Sequence, residues 1–162
     1  MIRNTELYQR DFHAWALETA KLIRAGRWAE LDIEHLAEEI ESMGASERNQ
    51  LVNRFRILLA HLLKWQHQPN LQSHSWKYTI KEQRLAIEDL LQDNPSLRSY
   101  LDIVIIRGYR LAVVLAIKET GLDEKTFLDE KTFPETCPYT LDQVMDKNYY
   151  SIIKFLLLDR TM

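Results

Sequence analysis

At 162 residues and 19.3 kDa, with 46% hydrophobic and 28% charged residues, the chain can bury a sizeable core and has an ordinary globular composition. One domain over residues 1–162 is the simplest organisation. The lone Cys137 excludes an internal disulfide and a cysteine zinc cluster, and fits a reducing cytoplasm. The longest apolar run, 152–158, is interrupted by Lys154 and too short to span a bilayer, and no signal peptide is apparent around Glu6 and Asp11, so no membrane role is expected.

The net charge of -3 is unevenly spread. Residues 1–45 hold 5 Lys/Arg against 9 Asp/Glu, residues 46–88 hold 7 against 3, and residues 89–162 hold 9 against 12. A basic centre between acidic flanks is expected either to pair basic helices with acidic ones inside the fold or to offer a site to an anion or an acidic partner. With only 4 glycines and 4 prolines, long helices are favoured over many short strands.

The first helix is expected over 5–25, where Tyr8, Phe12, Trp15, Thr19, Leu22 and Ile23 recur at three and four residues and Gly26 supplies a stop. Asp32 is a good N-cap for a second helix over 33–43, with Leu31 and Leu36 as a hydrophobic staple. That helix is expected to bury Ile33, Leu36, Ala37 and Ile40 and to end at Gly44. Glu39 falls about 60° from Leu36, beside the apolar stripe, whereas Glu38 points to solvent. Glu39 is therefore the carboxylate expected to reach the interior.

The central element starts at Ser46 as N-cap and stops before Pro69. Leu51, Val52, Phe55, Leu58, Leu59, Leu62 and Leu63 form a broad apolar stripe, with Arg56, Ile57, Ala60 and Lys64 on the far side. Arg54, His61 and Trp65 share one margin, and Gln66 lands near the centre. A second central helix follows, with Ser75 as N-cap and Trp76, Ile80, Ile87, Leu90 and Leu91 as its stripe. Gln83 sits inside that stripe and Arg84 on its edge. Two glutamines at core angles on consecutive helices are the oddity of this sequence.

Asn94-Pro95 opens a long helix over 95–120 that buries Leu97, Leu101, Val104, Leu111, Ala112 and Leu115. Gly108 at the centre of that face costs about 1 kcal/mol relative to alanine, which makes sense if another helix crosses closely there. Residues 122–127 and 128–133 are an identical tandem hexapeptide, best read as a duplication in an irregular surface loop. Thr140 caps a short helix over 141–147, and the tail over 149–162 is largely apolar. The sum is an all-α, up-and-down bundle of about five helices with an irregular C-terminal segment.

Tyr8, Asp11, Phe12 and Trp15, then Leu31-Asp32, Leu36-Ala37-Glu38-Glu39-Ile40, His61-Leu62-Leu63-Lys64-Trp65 and Gln68-Pro69, resemble the bacterial domain-of-unknown-function 29 family. So do Ser75-Trp76, Thr79-Ile80, Gln83-Arg84, Pro95-Ser96-Leu97, Phe133-Pro134 and Cys137-Pro138-Tyr139. The resemblance covers about residues 6–150. It implies an all-helical bundle and no activity, and it carries nothing to the doubled hexapeptide or to the tail.

The candidate chemistry is a polar cluster of Glu39, His61, Gln66, Gln83 and Arg84, with Asp32, Arg54 and Lys64 as further members. Buried polar groups pair with one another because an unpartnered one costs roughly 1–3 kcal/mol, so the cluster either fixes helix register or binds a ligand. No metal is expected: Glu-x-x-His and His-x-x-x-His are both absent, and His35 and Glu39 stand in the reverse order. No cofactor is expected either, since no glycine loop for phosphates and no Gly-x-Ser-x-Gly occurs. Trp65, Trp76 and Tyr78 among basic residues could stack on bases, but both tryptophans lie by apolar stripes and the pI near 6.0 weighs against nucleic acid.

The expected function is a helical binding or interaction module using the central basic helices, its partner a protein or a small anionic ligand. The alternative is a small enzyme or a metal- or anion-binding protein using Glu39, His61 and Arg84. A homodimer sealed by the tail stays open.

Overall fold

The structure, a computed structural model, describes residues 4–121 and 133–150. These form six α-helices, five of them of 7 or more residues, and no strand among the described residues. The chain is all-α. It divides into two compact units, Met1–Glu47 and Arg48–Met162. No described helix is long and apolar enough to cross a membrane.

The N-terminal unit holds α1 (Asn4–Arg10), α2 (Phe12–Arg24), a 3-10 turn at Trp28–Glu30 and the start of α3 (Ile33–His67). The helix expected over 5–25 is broken at Asp11, whose extended backbone lets its carboxylate accept from the Ala14 N–H and cap α2. A cap competes with helix continuation, and here the cap wins. Gly26, at φ +67°, closes α2 as expected, with the Arg27 N–H reaching the Leu22 carbonyl and the Gly26 N–H that of Ile23. Trp15, Thr19 and Leu22 are buried. Around them Tyr8 packs edge-on to Trp15 at 4.9 Å and stacks on His35 at 4.0 Å between ring centres.

Asp32 does start α3: its side chain accepts from the His35 N–H and from His35 Nδ1. The expected stop at Gly44 does not occur, and Ser46 is not a cap, because α3 runs on without a break to His67. A glycine costs a helix about 1 kcal/mol but does not end it unless a left-handed residue or a proline follows. The burial expected for Ile33, Ala37 and Ile40 is also corrected: all three are exposed, Ile40 at 60%.

In the C-terminal unit, the second part of α3 is the central rod. Leu51, Phe55, Leu58, Leu59, Leu62 and Leu63 have no exposed surface. Ala60 and Lys64, on the far side from the apolar stripe, are buried as well. Lys64 is neutralised by Glu119 at 2.5 Å and lies over the Trp76 ring at 4.4 Å. After a 3-10 turn at Pro69–Leu71, α4 (His74–Asp93) begins two residues earlier than expected, with Ser73 accepting from the Trp76 N–H.

The helix expected over 95–120 opens as a 3-10 segment, Pro95–Tyr100, and becomes α5 only at Leu101–Thr120. The Asn94 side chain turns back to donate to the Leu90 carbonyl of α4. Leu97, Val104 and Ala112 are buried, but Leu111 is 47% exposed, so the buried face is narrower than expected. The close crossing expected at Gly108 is present: a methyl group there would lie 3.0 Å from Phe55 Cβ. Gly121, at φ +67°, ends α5. Thr140 forms a capping box with Gln143 for α6, which stops at Met145 (Leu141–Met145). Residues 122–132 of the doubled hexapeptide and 151–162 of the tail lie outside the described residues.

Candidate functional site

Arg84 is the most unusual side chain of the C-terminal unit. It projects from α4 and is only 2% exposed. Its Nε donates to the Val144 carbonyl at 2.7 Å and its Nη2 to the Tyr149 carbonyl at 2.6 Å. Its Nη1 is buried and has no hydrogen-bond partner among the described residues. Two carbonyl dipoles partly solvate the guanidinium, yet among the described residues no carboxylate pairs with it. Burial pulls Arg84 below its ordinary value, opposed by Tyr150 and Asp146. The charge nevertheless stays, since arginine does not lose its proton in proteins.

Arg84 lines a cavity of about 420 Å³ together with Lys77, Tyr78, Lys81, Leu85, Lys147 and Tyr150. The helical period explains the placement. Lys77, Lys81 and Arg84 recur at i, i+4 and i+7 on α4, so three cations fall within about 60° of one another. Lys147, beyond α6, adds a fourth, held loosely by Glu88 at 3.8 Å. The rings of Tyr150 and Tyr78 lie under these charges: Arg84 stands 5.5 Å and Lys77 6.0 Å from the Tyr150 ring centre, and Lys81 5.9 Å from that of Tyr78. Among the lining residues there is no acid.

The other residues singled out in the sequence have partners of their own. Glu39, in the N-terminal unit, is half-buried and accepts from the Tyr8 hydroxyl at 2.6 Å, which raises Tyr8 above its ordinary value. Glu38 is exposed. In the C-terminal unit His61 Nδ1 donates to the Ile57 carbonyl at 2.8 Å, and burial holds the ring below its ordinary value. Gln83 is 4% exposed and accepts from Arg54 at 3.5 Å. Gln66 accepts from the buried Tyr139 hydroxyl at 2.5 Å. Both core-angle glutamines are therefore satisfied by a distant donor. No hydrogen bond among the described residues joins two of Glu39, His61, Gln66, Gln83 and Arg84.

The sequence points to Arg84 but not to Lys77, Tyr78, Lys81, Lys147 and Tyr150 as its companions. The spacing of Lys77, Lys81 and Arg84 was a usable signal; Lys147 and Tyr150 offered none, because only folding brings them to α4. Among the described residues no group of three or more His, Cys, Asp or Glu side chains is placed to hold a metal ion.

Compared with known proteins, residues 7–150 match the model of a family described as Domain of unknown function DUF29. No curated protein and no solved structure matches the chain.

Proposed function

The chain belongs to the family Domain of unknown function DUF29, and since that description carries no activity, we propose from the geometry alone that it is a binding module holding a small anionic ligand at Arg84. One observation carries this reading: an arginine that is 2% exposed, in no ion pair among the described residues, and bordering a cavity whose lining holds three lysines and no acid. Burying an unpaired charge is costly, and an anion held in the cavity beside Arg84 offsets part of that cost. The lysines, whose ammonium groups reach water, add attraction that weakens with salt. The lone cysteine and the family resemblance support a bacterial, cytoplasmic setting. The acid/base alternative built on Glu39 and His61 has no observation in its favour.

Calorimetric titration of the full chain with inorganic pyrophosphate at low salt tests the reading. Saturable one-to-one binding is expected. The double variant Lys77→Gln, Lys81→Gln should weaken it about tenfold or more, as one charge-assisted contact contributes roughly 1.5–3 kcal/mol. Absence of binding, or binding indifferent to that variant, rules the pocket out.

A further inference from the structure

Resting on that reading, we infer that the ligand of the Arg84 pocket is a nucleoside diphosphate or a close relative, a polyanion that carries a flat ring. Size is the first argument. The cavity of about 420 Å³ corresponds to about fourteen waters' share of liquid volume and lies in the range of small-organic-ligand sites. A lone tetrahedral anion would leave most of it empty.

The composition of the walls is the second argument. Four cations suit more than one negative charge. The rest of the lining is Tyr78, Leu85 and Tyr150, whose ring faces and apolar surface an inorganic anion cannot use. Tyr78 is 52% and Leu85 44% exposed, so an apolar surface beside the charges is open to a ring. Aromatic faces stack on bases irrespective of base identity, and nearby cations reinforce the stack. In this arrangement the lysines, beside Arg84, meet the phosphates while Tyr78 and Leu85 meet the base.

Three probes separate the parts: ADP, inorganic pyrophosphate and adenosine, each titrated into the full chain and into Tyr78→Leu. Because Tyr78 is half in water, its replacement leaves the core intact. ADP is expected to bind about tenfold tighter than pyrophosphate, with adenosine weakest, and Tyr78→Leu should remove most of that preference. If ADP and pyrophosphate bind equally and Tyr78→Leu changes nothing, the ring-bearing ligand is overturned while the anion site stands. If neither binds, the anion site itself fails. Tighter binding of a short single-stranded oligonucleotide than of ADP also overturns the proposal, in favour of a nucleic-acid strand.

Discussion

The two parts of α3 are one continuous helix with opposite physical support. Up to Glu47 it has no fully buried residue, and Ile33, Ile40 and Met43 are exposed at 57%, 60% and 71%. From Leu51 onward nine of its residues are buried, including Ala60 and Lys64 on the far side from the apolar stripe. The backbone bonds are the same in both. The second part is held by packing that removes apolar surface from water, while the first rests on helix propensity, on the Asp32 cap and on the Tyr8–Glu39 bond. Local support carries the helix through Gly44; it does not tell which face will be covered.

The largest test of this contrast is truncation in each part. Phe55→Ala should cost about 3–5 kcal/mol, whereas Ile40→Ala should stay within about 0.5 kcal/mol, as read by chemical denaturation. Similar losses at both positions would erase the distinction. Glycines sharpen it next. Gly108→Leu should cost about 1–3 kcal/mol, because even the first added carbon meets Phe55 Cβ at 3.0 Å. Gly44→Ala, where an added methyl group meets nothing within 4 Å, should instead stabilise by about 1 kcal/mol. A loss at Gly44 would mean that its surroundings are filled.

The smallest effect is in the histidines. In the N-terminal unit the Asp32 hydrogen bond raises His35, so its contribution is complete below about pH 6.5 and fades as pH rises through its folded value. In the C-terminal unit burial lowers His61 and His67, so the neutral rings contribute above about pH 6.5 and that contribution fades as pH falls. An NMR titration should show His35 losing its proton at higher pH than a free imidazole, and His61 and His67 at lower pH. All three titrating together would contradict the opposed environments.

What was legible in the sequence follows from period. A spacing of 3.6 residues placed Gln83 and Gln66 inward, put Gly108 at a crossing, and set Glu39 rather than Glu38 beside the apolar stripe. Caps at Asp32 and Thr140 and stops at Gly26 and Gly121 were readable because each needs only its immediate neighbours. Asp11 shows the limit of local reading, since the same carboxylate suits a helix interior on periodicity and a cap on chemistry.

The sequence by itself determined the all-α class of the described residues, several helix starts and stops, and which residues share a face. Tertiary structure alone decided which faces are covered and who answers each polar group: Tyr8 for Glu39, Glu119 for Lys64, Tyr139 for Gln66, and the carbonyls of Val144 and Tyr149 for Arg84. The reason is physical. Helix formation is set within a few residues, whereas satisfying a buried polar group draws on partners up to 73 positions away, which no local pattern encodes.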